Sequence, residues 1–427
     1  MNINELYEIY CQYPSIQTDT RRLKQGDLFF ALKGDNFNGN EYAHAALEKG
    51  ASYCVVDEVI GTEDSRLLKV DDVLIALQAL AKKHRTQFNI PFIAITGSNG
   101  KTTTKELIHV VLSSTYKTYT TEGNLNNHIG IPLTILKIKK DAEMAVVEMG
   151  ANHLKEIEGY CAYTMPTHGL ITNCGKAHLE GFGGEEGVRK GKGELFEYLK
   201  SSNATMFVFN DYDYLQNMSE GYDHIISYGS ENEHSDFVGK MIGDKQFLEV
   251  SIIKGAHISN IKTQLVGGYN LPNVLSAVCI GKTFKVSDEK IKSSLESYTP
   301  SNSRSQLIIK DTHTIILDAY NANPSSMKLA IENFAGMPGK NKIMMLGGMM
   351  ELGKESHQEH VSLIQLIKQY QWLHVVLVGE QFKNIHGDFH YFNTSTEARD
   401  WFITQHFSNT NLLVKGSRSM QMEKVLE

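Results

Sequence analysis

Residues 93–104, with the sequence IAITGSNGKTTT, place a glycine loop between a short apolar run and a lysine that is followed by three threonines. Glycines let backbone N–H groups approach phosphate oxygens, and a helix that begins after the loop adds its positive end. In such a loop Lys101 binds the outer phosphates of a nucleotide, and the hydroxyl of Thr102 binds Mg²⁺. Ile95 stands where the longer G-x-x-x-x-G-K-[ST] pattern has its first glycine, so the loop is a shorter form. It predicts nucleotide binding without specifying the reaction, because kinases, switches and ligases all use it.

Two polar residues follow other apolar runs of the same region. Glu148 ends the run 144–148, and His178 comes a few residues after the run 169–172. In an open parallel sheet, ligands bind outside the carboxyl ends of the strands, where Mg²⁺ finds oxygen ligands beside phosphates. Glu148 taken alone could equally be a helix cap or a surface acid, and a lone histidine is more often an ordinary polar residue. Their shared position at strand ends favours a site at one edge of the sheet.

Lys192 lies within residues 185–199, for which the spacing of apolar residues predicts a helix. The apolar positions are 188, 195, 196 and 199, so Lys192 is on the apolar face of this helix. Burial lowers the pKa of a lysine, and a neutral amine can take up CO₂ to become a carbamate, in effect a carboxylate on a long arm. The alternative is a lysine whose ammonium group reaches solvent from a half-buried face. Periodicity alone does not decide between the two.

The segments around these residues alternate between short apolar runs and helical periods, a pattern typical of α/β domains. The first stretch predicts strands at 27–32 and 52–56, and helices at 42–49 and 72–87. The second stretch predicts buried strands at 91–96, 144–148, 169–172 and 204–209. The third begins in a turn-rich segment at 298–303 and predicts strands at 313–317, 342–346, 374–378 and 411–414.

Length supports a division into three domains. At roughly 150 residues per domain, a chain of 427 residues fits about three. The changes in pattern place the domains at residues 1–88, 89–300 and 301–427.

Composition excludes several classes of protein. The 49 acidic and 42 basic residues give a formal net charge of −7, which argues against a dedicated nucleic-acid binder. No apolar run approaches the roughly 18 residues of a membrane span, and the first residues lack the basic and apolar regions of a signal peptide. The five cysteines show no C-x-x-C spacing and fit reduced thiols. We expect a cytoplasmic protein that neither binds nucleic acid nor inserts into a membrane.

Several segments, taken together, resemble the Mur ligases of peptidoglycan synthesis. They are the glycine loop, residues 18–32, 122–132, 177–180, 192–196, 317–327 and 413–419, and Glu148. The segment 317–327, LDAYNANPSSM, is the most specific and resembles the member that adds the terminal dipeptide, whereas the glycine loop is shared by the whole superfamily. The resemblance implies an α/β protein with a small UDP-binding domain, a central P-loop ATPase-like domain with a parallel sheet, and a C-terminal Rossmann-like ligase domain that binds the dipeptide.

The resemblance also implies a reaction and its participants. It implies an ATP-dependent amide ligase that joins D-alanyl-D-alanine to UDP-N-acetylmuramoyl-tripeptide through an acyl phosphate. It further implies two Mg²⁺ ions, a carbamate on Lys192 and a monomeric enzyme.

Residue roles follow from the same resemblance. The catalytic residues are expected to be Lys101, Lys192, His178, Lys415 and Arg418. The ATP-binding residues are expected to be Thr96, Gly97, Ser98, Asn99, Gly100, Lys101, Thr102, Thr103, Asn270, Arg304, Asp318 and Asn321. The metal ligands are expected to be Thr102, Glu148, His178 and Lys192 as a carbamate. The substrate-binding residues are expected to be Thr20, Arg21, Asn126, Asn127, Tyr320, Asn323 and Ser417.

Two positions depart from the family pattern, and two other functions remain as alternatives. Gly348 replaces the acid that the family usually has in the segment 346–353, and Cys174 replaces the commoner isoleucine. A folylpolyglutamate synthetase shares the loop and the lysine, but the sequence TDTR at 18–21 argues against it. A non-catalytic nucleotide switch is disfavoured by the intact Lys101 and Lys192, although Gly348 keeps it open.

Overall fold

The strands of the chain form three main sheets in succession. A computed structural model describes residues 1–59, 61–62, 64–244, 246–301 and 303–427. Within them lie sheets of four, nine and six strands and one two-stranded hairpin. The predicted α/β architecture is therefore confirmed.

The first sheet is small and parallel. The elements of this domain are α1 (Ile3–Gln12), β1 (Ile16–Gln17), β2 (Leu28–Phe30), β3 (Lys33–Gly34), β4 (Phe37–Asn38), α2 (Ala43–Glu48), β5 (Tyr53–Val56), β6 (Leu67–Lys69) and α3 (Val73–Arg85). The sheet order is β1-β2-β5-β6. Successive side chains of a strand point to opposite faces, so Leu28 and Phe30 pack in one apolar cluster and Phe29 in another.

The central sheet carries the glycine loop. Its domain contains β7 (Phe92–Thr96), α4 (Lys101–Ser113), β8 (Thr118–Thr120), α5 (Gly130–Leu136), β9 (Met144–Glu148), α6 (Glu156–Thr164), β10 (His168–Ile171), α7 (Leu179–Phe182), α8 (Glu185–Ser201), β11 (Thr205–Phe209), α9 (Asp213–Ser219), β12 (Ile225–Gly229), β13 (Phe237–Gly243), β14 (Glu249–Lys254), β15 (Ile261–Lys262), α10 (Leu271–Thr283) and α11 (Asp288–Ser297). The order is β15-β14-β13-β12-β11-β10-β7-β9-β8. All pairs from β8 to β13 are parallel, which brings the carboxyl ends of β7, β9 and β10 to one edge.

One edge of the central sheet differs from the sequence prediction. Strands β14 and β15 run antiparallel, and the predicted pattern did not include them. Exposed residues interrupt the buried pattern of these strands, such as Met241 and Ile242 on β13 and Ile253 on β14. The β13–β14 register is also irregular. These strands therefore lack the continuous apolar runs that mark β7 and β9.

The third sheet is mostly parallel and is packed on both faces. Its domain contains β16 (Gln306–Lys310), β17 (His313–Asp318), α12 (Pro324–Gly336), β18 (Lys342–Gly347), α13 (Ser356–Ile367), β19 (His374–Val378), β20 (His390–Phe392), α14 (Ser395–Thr404) and β21 (Asn411–Lys415). The order is β16-β17-β21-β18-β19-β20, with only β16 antiparallel to its neighbour. Met344 and Leu346 face one apolar cluster, and Ile343 and Met345 face the other.

Helix α3 holds the first domain on the central one by packing against α5 and α6. It begins after Asp72, whose carboxylate accepts a hydrogen bond from the Ile75 N–H at 2.8 Å. At its other end, the buried guanidinium of Arg85 donates to the Thr164 and Met165 carbonyls at 2.9 and 3.0 Å. The contact between these domains is thus apolar packing supplemented by hydrogen bonds.

Two other expectations can be compared with the described residues. None of their helices is long and apolar enough to cross a membrane. All five cysteines are free, as predicted for reduced thiols.

Candidate active site

The glycine loop runs from β7 to the first residue of α4, in the predicted order of strand, loop and helix. Gly97 and Gly100 have φ angles of 143° and 79°, which L side chains rarely adopt. A Cβ atom at Gly97 would lie 2.0 Å from Oγ1 of Thr172, and one at Gly100 would lie 2.8 Å from Oδ1 of Asn273. Glycine is therefore required at both positions by backbone conformation and by close neighbours.

The segment between β10 and α7, residues 172–178, supports the glycine loop from one side. Ser98 donates through its hydroxyl to the Gly175 carbonyl at 2.9 Å, and its N–H donates to the Asn173 carbonyl at 2.8 Å. The Asn99 N–H donates to Oδ1 of Asn173 at 3.0 Å. The loop is thus held in place before any phosphate contacts it.

Lys101 curls back over the loop that precedes it. Its Nζ donates to the carbonyls of Gly97 at 2.7 Å and Ser98 at 3.2 Å. Burial lowers the pKa of Lys101, while Glu148 opposes this shift by favouring the charged form. A phosphate group could therefore replace carbonyl oxygens as the partner of this amine.

Thr102 and Glu148 meet below the loop. The Thr102 hydroxyl donates to Oε2 of Glu148 at 2.8 Å, and Nδ2 of Asn126 donates to Oε1 of the same carboxylate at 2.7 Å. Glu148 is only 1% exposed. The hydroxyl and carboxylate oxygens are suitable ligands for Mg²⁺ beside the phosphate loop.

Lys192 lies on the buried face of α8, as the apolar periodicity predicted. The side chain is fully buried, and Nζ donates to the Ala151 carbonyl at 2.9 Å. The alternative in which the ammonium group reaches solvent is therefore wrong. Burial, reinforced by the charge of Lys101, lowers the pKa of Lys192 to about 7. A substantial neutral fraction is expected near neutral pH.

His178 faces the third domain. It adopts a left-handed backbone conformation with a φ of 53°, immediately before α7. Its Nδ1 lies 2.5 Å from Oε2 of Glu351, which also has a positive φ of 64°. The contact with His178 lowers the pKa of the Glu351 carboxyl group. This pair joins the central domain to the segment that follows β18.

The third domain contributes a second polar group. The Arg304 guanidinium lies 3.6 Å from the ring centroid of Tyr320, which is a cation–π contact. Asp318 and Lys415, paired across β17 and β21, form a salt bridge, and the Ser305 N–H donates to Asp318 at 3.0 Å. Charged and aromatic groups therefore face the glycine loop across a gap.

A cleft of about 730 Å³ lies between these two groups of residues. The predicted site residues that line it are Ser98, Asn99, Gly100, Lys101, Thr102, Thr103, Asn126, Asn127, Glu148, His178, Asn270, Arg304, Asp318, Tyr320, Asn321, Asn323 and Lys415. The cleft thus brings together residues that are up to 317 positions apart, from Ser98 to Lys415, in two domains.

The remaining predicted residues lie elsewhere. Thr96 and Gly97 are not among the residues that line the cleft, and the Thr96 hydroxyl bonds to the Met149 carbonyl. Ser417 is buried and donates to the Gly348 carbonyl at 2.7 Å. Arg418 pairs with Glu423, and its guanidinium lies 5.9 Å from the ring centroid of Tyr320, which lines the cleft. Thr20 and Arg21 lie in the first domain, where Arg21 is 86% exposed and pairs with Asp19. Lys192 lies in the core and is not part of the cleft surface.

The cleft also contains residues that the sequence analysis missed. Asp211 and Ser230 follow β11 and β12, and therefore lie at the same edge of the sheet as Glu148. The two Asp211 oxygens accept hydrogen bonds from the backbone at Ser230, Glu231 and Asn232. The signal that could have found Asp211 is its position just after an apolar strand, the same signal that identified Glu148.

The two departures from the family pattern have different surroundings. At Gly348 a Cβ atom would lie 2.5 Å from Oε1 of Gln381, so the Gln381 side chain occupies the space beside this glycine. Cys174 donates through its backbone N–H to the Tyr214 hydroxyl, and burial raises the pKa of its thiol to about 12. The position of Cys174 is consistent with a packing role.

Three family descriptions match successive parts of the chain. Residues 12–85 match the Mur ligase family catalytic domain, residues 95–281 the Mur ligase middle domain, and residues 303–418 the Mur ligase glutamate ligase domain. Together they extend over all three sheets.

Relatives of similar length cover nearly the whole chain. The UDP-N-acetylmuramoyl-tripeptide–D-alanyl-D-alanine ligase of Bacillus subtilis is 33% identical over 96% of this chain and 92% of its own length. The crystal structure of MurF from Acinetobacter baumannii has a TM-score of 0.88 at 31% identity, and covers 96% of this chain and 92% of that one. MurF ligase from Thermotoga maritima, in complex with ADP, has a TM-score of 0.86 at 26% identity, and covers 96% of each chain.

Proposed function

The chain belongs to the Mur ligase family, and from this premise we propose that it is an ATP-dependent ligase joining D-alanyl-D-alanine to UDP-N-acetylmuramoyl-tripeptide in peptidoglycan synthesis. The observation that carries the proposal is the cleft, where the glycine loop faces residues 318–323 and Lys415 of the third domain. An amide ligase needs this arrangement, because a phosphoryl donor, a carboxylate and an amine must meet in one place.

The chemistry consists of two displacements. The terminal carboxylate of the tripeptide attacks the γ-phosphorus of ATP, a C–O–P bond forms, and ADP leaves. The amine of D-alanyl-D-alanine then attacks the carbonyl carbon, loses a proton, and inorganic phosphate leaves with the electrons of the C–O bond. Because carboxylate and triphosphate repel each other, the site must offset negative charge in the first transition state. Lys101 supplies positive charge by exchanging its carbonyl partners for phosphate oxygens.

Thr102 and Glu148 fit a Mg²⁺ site, since their oxygens lie 2.8 Å apart at the foot of the phosphate loop. Asn126 binds the other Glu148 oxygen and thereby fixes the orientation of the carboxylate. Thr102 and Glu148 would hold a Mg²⁺ ion, which would supply positive charge to shield the phosphates. We assign His178 and Lys192 to a second Mg²⁺ ion.

Lys192 is proposed to be carbamylated. Its burial and its pKa of about 7 support this, because the neutral amine is the form that reacts with CO₂. The neutral amine forms an N–C bond with CO₂ and releases one proton, which gives a carbamate anion. A carbamate on Lys192 would supply an anionic oxygen ligand for a second Mg²⁺ ion.

The remaining predicted residues are assigned to substrates. Thr20 and Arg21 are assigned to the UDP-linked substrate in domain 1–88, together with Asn126 and Asn127 across the domain boundary. Domain 89–300 binds ATP through the loop residues from Thr96 to Thr103 and through Asn270.

Domain 301–427 closes the site from the other side. Arg304, Asp318 and Asn321 are assigned to the nucleotide. Tyr320, Asn323 and Ser417 are assigned to the dipeptide, and Lys415 and Arg418 to the acyl phosphate. We expect a monomer, because one chain forms the whole cleft, and we place the reaction in the cytoplasm, where ATP is available.

The test is to combine purified protein with ATP, Mg²⁺, bicarbonate, UDP-N-acetylmuramoyl-tripeptide and D-alanyl-D-alanine, and to omit each in turn. Phosphate release and product mass are measured together. The expected product is heavier than the tripeptide substrate by one dipeptide minus water, and requires both organic substrates. ATP binding without any amide product would favour the nucleotide switch. Product formation only with a folate and glutamate would favour the folylpolyglutamate synthetase.

A further inference from the structure

Segment 172–178 of the central domain is in contact with the third domain at its middle. The Lys176 N–H donates to the hydroxyl of Ser325 on α12 at 2.9 Å, and Lys176 Nζ donates to Oε1 of Glu359 on α13 at 2.7 Å. Next to it, a Cβ atom at Gly175 would lie only 2.8 Å from the Ser325 hydroxyl oxygen. The two domains therefore approach closely at Lys176.

Other contacts connect the same two surfaces. His178, at the end of the segment, lies 2.5 Å from Glu351, and Nδ2 of Asn323 donates to Oδ1 of Asn99 in the glycine loop at 2.7 Å. These interactions come from three parts of the third domain: the start of α12, the segment after β18, and α13. Among these contacts is the salt bridge between Lys176 and Glu359. Neither of these two residues was predicted to belong to the site.

The charges around Lys176 favour this contact. Glu359 is 12% exposed at its side chain, so its carboxylate is largely removed from solvent and needs a cation or a hydrogen-bond donor. Glu185, at the start of α8 in the central domain, lies 3.5 Å from Lys176 Nζ. Lys176 thus neutralises two acids, one from each domain, that would otherwise repel each other across the interface.

Segment 172–178 connects the Lys176 contact with the site. Gly175 and Asn173 support the glycine loop through Ser98 and Asn99, and His178 lies two residues beyond Lys176. A shift at Lys176 therefore displaces both the support of the loop and the residue that faces the cleft. A misplacement of about 1 Å at reacting groups can lower a rate roughly a hundredfold, so small shifts matter.

We propose that Lys176 is a positioning residue, which docks the third domain on segment 172–178 through Glu359 and thereby sets the geometry of the glycine loop and His178 for ligation. Lys176 contacts neither substrate nor nucleotide in this role. The proposal rests on the ligase activity proposed above, but the docking that it describes can be measured without turnover.

The experiment compares Lys176→Glu, Glu359→Lys and the double variant that exchanges the two charges. Each single variant places like charges at the interface, and we expect kcat to fall at least fivefold, with KM for ATP changed less than about twofold. The double variant restores opposite charges across the interface but leaves the new carboxylate at position 176 beside Glu185, so it is expected to recover part of the lost kcat and to exceed both single variants. Hydrogen exchange in residues 172–178 should be faster in the single variants and return to the wild-type rate in the double variant.

The control is Lys328→Glu, which also places like charges together, since Lys328 forms an exposed pair with Glu332 inside α12 that does not cross between domains. It should leave kcat and exchange in residues 172–178 unchanged. Thermal unfolding of each variant identifies any that fails to fold. In that case Glu359→Gln serves as the milder substitution, for which we expect a smaller fall in kcat. Single variants with wild-type kcat and exchange, or a double variant no better than either single one, would overturn the proposal.

The two proposals can fail separately. If the wild-type protein makes no dipeptide adduct, the proposed function fails, while the exchange measurements still test the docking role of Lys176. If the wild type is active and charge exchange has no effect, only the role of Lys176 fails.

Discussion

At the scale of single residues, the burial of Lys192 directly determines the charge and reactivity of its amine. Its Nζ donates to one carbonyl oxygen, and no acid is within salt-bridge distance among the described residues. A full positive charge there is costly, which is why its pKa falls to about 7. The proposed carbamylation would replace this poorly stabilised cation with an anion that Mg²⁺ can bind.

We therefore predict that ¹³C-bicarbonate labels Lys192 and that the label depends on pH. The neutral amine predominates above a pKa of about 7, so carbamate should increase between about pH 6 and about pH 8. The measurement is the carbamate carbon signal in ¹³C NMR. Lys192→Met should lose the signal, whereas Lys190→Met, on the exposed face of the same helix, should retain it. A signal that survives in Lys192→Met would assign the carbamate to another amine.

Residues of the site were predictable from sequence where the signal is local. The glycine loop depends on consecutive residues, Glu148 ends an apolar strand and His178 follows one, so each could be located without knowing the fold. Lys192 was located by helical periodicity, although only the structure excluded an exposed ammonium group. Lys176 was not predictable, because its partner Glu359 is 183 positions away in another domain.

At the scale of elements, the end of α3 shows how a single side chain can fix a helix against another domain. Arg85 donates to carbonyls at the end of α6, to Met165, and to Phe88, and its guanidinium lies 3.7 Å from the centroid of the Phe92 ring. Burial lowers the pKa of Arg85 to about 10, so the side chain remains charged near neutral pH.

Replacement of this side chain should loosen α3. We expect Arg85→Met to lower the free energy of local unfolding by about 3 kcal/mol, because it leaves buried carbonyl groups without donors. The measurement is amide hydrogen exchange in α3 and α6 under native conditions. The matched control is Arg66→Met, since Arg66 forms an exposed pair with Asp64 and should contribute less than about 1 kcal/mol. Equal exchange in the two variants would contradict the role assigned to Arg85.

Elements were predictable to different degrees for physical reasons. Strands β7 and β9 are buried along their whole length, so they appear as continuous apolar runs. Strands β13 and β14 are partly exposed and irregularly paired, which removes both the continuous run and strict alternation. Short edge strands such as β1 and β15 have two residues each, too few for any periodicity.

At the scale of the whole molecule, the two domain contacts differ in character. The first domain joins the central one through a helix packed on two others. The third domain shares an apolar cluster with the central domain, which includes Met349 and Leu352, and adds three polar pairs beside the site: Lys176 with Glu359, Asn99 with Asn323, and His178 with Glu351. Polar contacts exchange readily with water, so the third domain should separate more easily than the first. The three-domain pattern was predictable from sequence, but this difference was not, because it depends on pairs distant along the chain.

Limited proteolysis tests this difference directly. Arg304 lies between α11 and β16, outside helices and strands, and trypsin cleaves after arginine. We expect trypsin to cut after Arg304, yielding residues 1–304 and 305–427, before it cuts after Lys82 or Lys83 within α3. ATP, Mg²⁺ and the UDP-linked substrate should slow this cut about tenfold, because ligands that contact both sides of the cleft stabilise the docked state. Mass spectrometry of the fragments identifies the site. Early cleavage within α3, or an unchanged rate with ligands, would mean that the third domain is held as firmly as the first and that ligand binding does not depend on its docking.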